Sequence, residues 1–539
     1  MKRACSSYLI VALILAIPLT TPATARAVPA GQKPQLRFAQ PVVYESGGFG
    51  ANSVAIADLN GDGIPDLVVA DYCQSGGSEC NGAVAVLLGN GDGTFQPPVT
   101  YSTGAYVAYS VAVGDLNGDG IPDLVVANWC QSLQYGDCAG NGVVSVLLGN
   151  GDGTFQPAVT YSSGGYYSTS IAIGDFNGDG YPDLVVANAC SSSCQGSGYG
   201  SVGVLMGNGD GTFQAPVVYS TVGYVAISVA VGNITGGGNA DLIVANFCTG
   251  YSCTPAGDGY DGEAGVLLGN GDGTFQPVAL YNSGGISAYS VAIGDLRGNG
   301  VQDLVVSNEF NEGGSDFNGV DVLLGNGDGT FQSAVGYQLP GGANDAVAIG
   351  DLNGDGIPDL AVVEGCHRLR AVSGCEGTGE VSVLLGNGDG TFQAPIVYNS
   401  GGYGGSSVAI ADVNGDGRPD LIITNLAASK GSSDGSVAVL LNNTSYTTTT
   451  ALSSSPNPSQ VSQSVTFTAT ITCVPPVPNG EVVTFYNGKT EFGTGTTISG
   501  VATLTTSFPD AGKYTIKAAY PGDAFRKPSS GSVKQVVSQ

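Results

Sequence analysis

Histidine, methionine, tryptophan and positive charge are nearly missing from this chain. Its 539 residues include 1 His, 2 Met, 1 Trp and 16 Lys plus Arg, against 44 Asp plus Glu, for a formal net charge of -28. So few cations exclude nucleic acid as a partner, because the phosphate backbone and the protein surface would repel each other. His367 is the sole histidine; it sits between Cys366 and Cys375 with no Ser or Cys arrangement around it, and reads as a surface residue rather than a catalytic base. Long apolar runs are scarce too. Tyr8 to Leu19 is the longest candidate, preceded by Lys2 and Arg3 and followed by Ala25-Arg26-Ala27. It is too short to span a bilayer and has the layout of a signal peptide over residues 1–27. Cys5 precedes that run instead of following it, which is not a lipid-attachment pattern. The expectation is an exported protein, secreted or at the cell surface, without membrane insertion.

What the chain has in abundance is glycine (87) and a repeat. The stretch Asp115-Leu-Asn-Gly-Asp-Gly-Ile-Pro-Asp123 returns, with differing fidelity, at Asp58, Asp175, Asn233, Asp295, Asp351 and Asp412, in steps of 56 to 62 residues. Around it, Ser110 to Gly114 alternates as a half-buried strand and Leu124 to Ala127 is apolar throughout, as in a strand covered on both faces. Val143 to Leu148 reads as a third strand, Gly149 to Thr154 as a turn, and Phe155 to Tyr161 as a fourth strand whose proline suits an outer edge. Four antiparallel strands per repeat is the pattern of a β-propeller blade. The last repeat stops at Ser436 to Leu441 without a fourth strand, while Phe38 to Tyr44 matches Phe95 to Tyr101. The expected fold is all-β: a seven-bladed propeller over residues 34–444, closed by its N-terminal strand.

Ten of the 12 cysteines fall in close pairs after the second strand of a repeat: Cys73/Cys80, Cys130/Cys138, Cys190/Cys194, Cys248/Cys253 and Cys366/Cys375. In an exported chain these read as local disulfides, each contributing about 2–2.5 kcal/mol; with histidine almost absent and only two thiols per cluster, zinc is the poorer reading. Residues 446–539 change character, with strands at Val465 to Ile471, Val482 to Tyr486, Val501 to Thr506 and Tyr514 to Tyr520, and read as a β-sandwich.

The seven in-phase copies resemble the FG-GAP/VCBS repeat family, whose best-known members are the integrin α-subunit propellers. The chain departs from the integrin type at Val69-Ala-Asp71 and Val126-Ala-Asn128, where that type has Gly-Ala-Pro, and keeps Phe-Gly as Phe49-Gly50. It therefore sides with the bacterial branch, and no integrin ligand is carried over. Asn487-Gly488, Gly493-Thr-Gly495, Gly500 to Leu504 and Tyr520-Pro-Gly-Asp523 resemble bacterial immunoglobulin-like domains of surface proteins.

Oxygen-bearing side chains at positions 1, 3, 5 and 9 of the acidic loop, with a carbonyl at position 7, are how a short turn wraps a hard cation. Five loops are complete, and the expected ligands are Asp58, Asn60, Asp62, Ile64 and Asp66; Asp115, Asn117, Asp119, Ile121 and Asp123; Asp175, Asn177, Asp179, Tyr181 and Asp183; Asp351, Asn353, Asp355, Ile357 and Asp359; and Asp412, Asn414, Asp416, Arg418 and Asp420. Five calcium ions are expected, at weak extracellular affinity. The fourth loop keeps one carboxylate, Asp241, and is expected to bind none. In the fifth, Arg297 stands at position 3 and is expected to supply its own positive charge in place of the metal, with weak binding or none. Asn90-Gly-Asp92-Gly and its partners read as hairpin turns.

Propeller geometry puts the acidic loops and these hairpins on one face and the cysteine loops on the other. That second face carries Tyr72, Tyr106, Tyr109, Trp129, Tyr135, Tyr166, Tyr167, Tyr224, Phe247 and Tyr251, suited to glycan or protein contacts. The expected function is adhesion to an extracellular glycan or protein, without catalysis. The alternatives are a polysaccharide-active enzyme using a pair among Glu79, Asp137, Glu309, Glu312, Asp316, Glu364 and Glu376, or a purely structural surface component.

Overall fold

Glycine at tight turns and branched residues between them dictate short antiparallel strands. The computed structural model describes residues 36–74, 80–134, 137–191, 199–248, 262–285, 287–308, 319–340, 343–365 and 379–539, all strand or irregular with no helix. The expected signal peptide (residues 1–27), His367 and the Cys366/Cys375 loop lie outside them.

The first unit shows the plan. Its strands are β1 (Val42–Ala57), β2 (Asp66–Cys73), β3 (Asn81–Leu87) and β4 (Val99–Gly114), paired in sequence order. The second half of β1 is the inner strand of this unit, and its first half pairs with Asp434–Leu440 at the end of the array, in the register Val42 to Val439 and Tyr44 to Val437. The N-terminal strand thus closes the last blade. Ala39 N–H to Leu441 C=O and Asn443 N–H to Arg37 C=O, both at 2.8 Å, extend the seam. Among the described residues the pairing resolves into seven such four-stranded units. Inner strands, ending at Ala57, Gly114, Gly174, Gly232, Gly294, Gly350 and Ala411, touch one another in succession, and the last touches the first.

The core lies between neighbouring sheets. Val68, Ala70, Val84 and Val86 of the first unit pack on Val111, Val113, Leu124 and Val126 of the second, and Leu67, Val69 and Leu87 meet Ile422, Val437 and Val439 across the closure. Both faces of each middle strand are covered, hence the unbroken apolar runs. Between units, Tyr44, Tyr101, Tyr161 and Tyr219 stand edge-on to Phe95, Phe155, Phe213 and Phe275 at 5.5–5.7 Å.

Two expectations at the outer edge are corrected. The fourth strand begins at Val159, not Phe155, because proline at 157 has no N–H for the ladder; Phe155 makes an isolated bridge to Gly149 instead. Fourth and first strands are also not always separate. Three pairs run on as 16-residue strands, turned where Gly47, Gly104 and Val222 take φ of 98°, 71° and 63°.

Residues 449–538 form two sheets over a core of Phe467, Phe485, Phe508 and Tyr520, with the four expected strands inside observed ones. This sandwich rests on the sixth and seventh acidic loops. Tyr446 Oη donates to Asn353 C=O at 3.0 Å, Arg526 Nη2 to Gly354 C=O at 2.8 Å, and Arg418 Nη1 to Ala524 C=O at 2.8 Å.

Candidate metal centres and the opposite face

The first acidic loop is organised by its position-1 aspartate. Asp58 Oδ1 accepts the N–H groups of Gly61 (2.8 Å) and Asp62 (3.1 Å), and Oδ2 accepts that of Gly63 (2.8 Å). Asn60 and Asp62 each accept the N–H two residues on, from Asp62 and Ile64. Gly61 and Gly63 hold φ of 75° and 82°, which a side chain would oppose. Asp115, Asn117, Asp119 and Ile121 repeat the arrangement, as do Asp175, Asn177, Asp179 and Tyr181, and Asp351, Asn353, Asp355 and Ile357. In the seventh loop Asp412, Asn414 and Asp416 do the same, but the Arg418 guanidinium pairs with the Asp416 carboxylate.

Position 9 behaves differently. Asp66 is fully buried, with Oδ2 accepting Leu59 N–H at 2.9 Å and Oδ1 accepting Gly89 N–H at 2.7 Å. It ties the acidic turn to the Asn-Gly-Asp-Gly hairpin. Asp123, Asp183, Asp359 and Asp420 repeat both bonds. So do Asp241 and Asp303 in the two altered loops. Position 9 therefore serves the turn whether or not a cation is bound. The signal was in the sequence, since it alone keeps its aspartate in all seven copies. Burial is the main force pushing Asp123, Asp183 and Asp420 up to about 6 and Asp359 up to about 8, and the position-1 and position-5 carboxylates of their loops add to it.

Among the described residues no group of three or more His, Cys, Asp or Glu side chains is gathered closely enough to hold a metal by itself. Within a loop the donors are mixed: carboxylates at 1 and 5, an amide oxygen at 3 and backbone carbonyls. That all-oxygen set fits a hard cation in kind. In the fifth loop Arg297 takes the cationic role, its Nε and Nη2 donating to Asp303 at 3.2 and 2.7 Å and Nη2 also to Gly325 C=O. The hairpin aspartates cap their own turns: Asp92 Oδ1 accepts Thr94 N–H at 3.0 Å and its hydroxyl at 2.6 Å.

At the opposite end, Cys73–Cys80 and Cys130–Cys138 are disulfides, and Cys190 and Cys248 are disulfide-bonded. Their expected partners, Cys194 and Cys253, lie outside the described residues. The aromatics here pack mainly on each other. Trp129 stacks on Tyr109 at 5.9 Å and meets Tyr72 and Tyr167 at 6.3 and 5.4 Å, while Tyr199 lies against Tyr224 and Phe247 against Tyr289. Of the expected acid/base carboxylates, Glu364 is turned inward to accept the Ser382 hydroxyl. Glu79, Glu309, Glu312, Asp316 and Glu376, and the Asp137 side chain, fall outside the described residues, as do Tyr135 and Tyr251.

Comparison with known proteins agrees with this architecture. The FG-GAP-like repeat matches residues 70–126, 138–186, 312–362 and 371–423, and the FG-GAP repeat matches 50–87, 107–147 and 343–384. These matches leave out residues 187–311, which hold both altered loops. The bacterial Ig-like domain (group 3) matches residues 452–538. Human integrin alpha-7 is 36% identical over 159 residues, covering 27% of this chain and 12% of the integrin. Integrin alpha-PS5 of Drosophila melanogaster is 34% identical over 117 residues, 21% of this chain and 11% of that one. Phosphatidylinositol-glycan-specific phospholipase D of Rattus norvegicus is 32% identical over 155 residues, 25% of this chain and 18% of that one. The chain thus spans less than a fifth of these relatives. The crystal structure of the V. cholerae biofilm matrix protein Bap1 aligns with 75% of this chain and 91% of its own, at 14% identity and a TM-score of 0.38.

Proposed function

From a chain of FG-GAP repeats followed by a bacterial immunoglobulin-like domain, we propose an exported, non-enzymatic propeller that binds calcium in its acidic loops and an extracellular glycan or protein at its cysteine-loop end. The observation that carries this reading is the contrast between the two ends. At one end the position-9 bonds recur in all seven units, which suits a scaffold; at the other, sequence, cysteine spacing and aromatic content change from unit to unit, which suits recognition.

Loops one, two, three, six and seven would each hold one ion through side chains 1, 3, 5 and 9 and the carbonyl at 7, drawing together carboxylates that otherwise repel. Calcium suits them better than magnesium, which demands a tighter octahedron and keeps its waters. The disulfides and the bacterial surface-type module support an oxidising, extracellular setting. Saturating calcium is expected to raise the melting temperature by several degrees over chelated protein, and Asp115→Ala to lose part of that gain; coincident melting curves with and without chelator would remove the ion from the proposal. A printed glycan array followed by a product assay tests the rest. Binding without turnover is expected, and release of oligosaccharide would replace adhesion by catalysis.

A further inference from the structure

One inter-blade cleft differs from its counterparts. On the outer half of each unit a third-strand residue faces a fourth-strand residue, and the chain pairs a small side chain with a filling one: Ala85 with Thr100, Ser145 with Thr160, Gly203 with Val218, Gly265 with Leu280, Ser382 with Val397 and Ala438 with Val43. The filling side chain packs beneath the connection from the preceding blade. An added Cβ on Gly47, Gly104 or Gly164 would lie 2.7–3.5 Å from Thr100, Thr160 or Val218. In the fifth unit the pair is Asp321 with Gly336. The filler is gone, and a carboxylate stands where the others have at most a hydroxyl.

The result is a cleft of about 610 Å³ between the fourth and fifth units, lined among others by Leu280, Asn282, Asp321, Leu323, Gln332 and Ser333. That volume falls in the range of small-ligand sites. Asp321 is 2% exposed. Its Oδ2 accepts from Asn308 Nδ2 at 2.8 Å, and its Oδ1 lies against Gly284, a residue of the same cleft, 2.4 Å from where a Cβ would sit. Asn282 Oδ1 accepts Gly284 N–H at 2.7 Å, which orients its Nδ2 as a donor. A buried carboxylate is retained at a cost unless something uses it, and the six other units carry no charge at this spot.

We propose that this cleft binds one neutral sugar residue, with Asp321 accepting hydroxyl protons, Asn282 and Gln332 donating to ring or hydroxyl oxygens, and the exposed Leu280 meeting the apolar C–H face. The chemistry selects among ligands. Anions are turned away by Asp321 and by the net charge of -28. A single carboxylate brings too few oxygens for a metal. Gly284 belongs to a strand-four-to-strand-one connection, so the cleft opens toward the cysteine-loop end. The proposal deepens the ligand-binding reading above and rests on it.

The test puts wild type, Asp321→Ser and Gly336→Thr on an array of neutral oligosaccharides, followed by titration calorimetry with the strongest hit. Both substitutions copy what other units already contain (Ser382, Thr100), so both are expected to fold, checked by a melting curve. Each is expected to weaken binding at least tenfold, one by removing the acceptor and the other by refilling the space. A hit that binds both variants as tightly as wild type overturns the cleft assignment and leaves ligand binding elsewhere on that end standing. A wild type that binds no sugar overturns the cleft and the glycan arm together.

Discussion

Asp71 occupies a position that five other units give to asparagine (Asn128, Asn188, Asn246, Asn308 and Asn425) and one to Glu364, all of them at most 2% exposed. Its Oδ1 accepts the Ser46 hydroxyl at 2.5 Å and its Oδ2 has no partner among the described residues. Burial, only partly offset by that hydroxyl, pushes the carboxyl up to about 7. A carboxyl whose folded pKa lies above its unfolded value near 4 supports folding fully below pH 4, and that support is lost as the pH rises through 7. Asp71→Asn is therefore expected to gain on wild type by about 1–3 kcal/mol between pH 5 and pH 8.5, measured by denaturant unfolding at fixed calcium. A difference independent of pH would show that Asp71 is not titrating there. This buried row was visible in the sequence as the Val-Ala-Asp and Val-Ala-Asn departures, but not its purpose, because the Ser46 and Asn188–Ser163 contacts come from residues 25 positions apart. Position 9 teaches the same lesson from the other side. Spacing assigns it to the cation, whereas the two buried N–H groups that each of these aspartates accepts require it even where the other ligands have gone.

At the scale of elements, the second and third strands were legible from their apolar runs, because burial on both faces leaves no alternation to misread. The fourth was misjudged at its start, where proline interrupts the ladder while Phe155 remains in the core. Nothing in the local pattern announced that Arg418, expected as a carbonyl ligand, would reach Asn442 C=O and Ala524 C=O, or that Arg526 would reach back to the sixth loop. These contacts join residues 106 and 172 positions apart. Arg526 is 3% exposed, pairs with Asp523 at 3.0 Å, and donates to Gly354 and Pro476 carbonyls. Gly354, at φ 71°, lets the Phe525 ring approach so closely that a Cβ there would sit 2.3 Å from it. Removing the guanidinium by Arg526→Ala leaves Asp523 and two carbonyls short of a donor, at about 2–4 kcal/mol. The expected outcome is a sandwich released from the propeller, read as a larger radius of gyration in small-angle scattering. An unchanged curve would show that Arg526 does not hold the two together.

For the whole molecule, the repeat made the propeller and the C-terminal sandwich readable, since seven phased copies of one pattern leave few architectures open. The cleft at Asp321 was not readable, because it arises from two departures 15 residues apart whose meeting depends on strand register. The seam has a consequence for how the chain comes into being. Arg37 and Thr444, bonded at 3.0 Å, are 407 positions apart. At translation rates of about 5–20 residues per second, β1 waits tens of seconds for its outer partner, with one edge bare and prone to pairing with the wrong chain. Non-local pairings of this kind slow folding more than they alter stability. A circular permutant that moves residues 36–45 to follow Leu441, with the sandwich reattached behind them, is expected to refold faster from urea and to aggregate less, at nearly unchanged stability. Equal refolding rates would mean that ring closure is not the slow step in the birth of this protein.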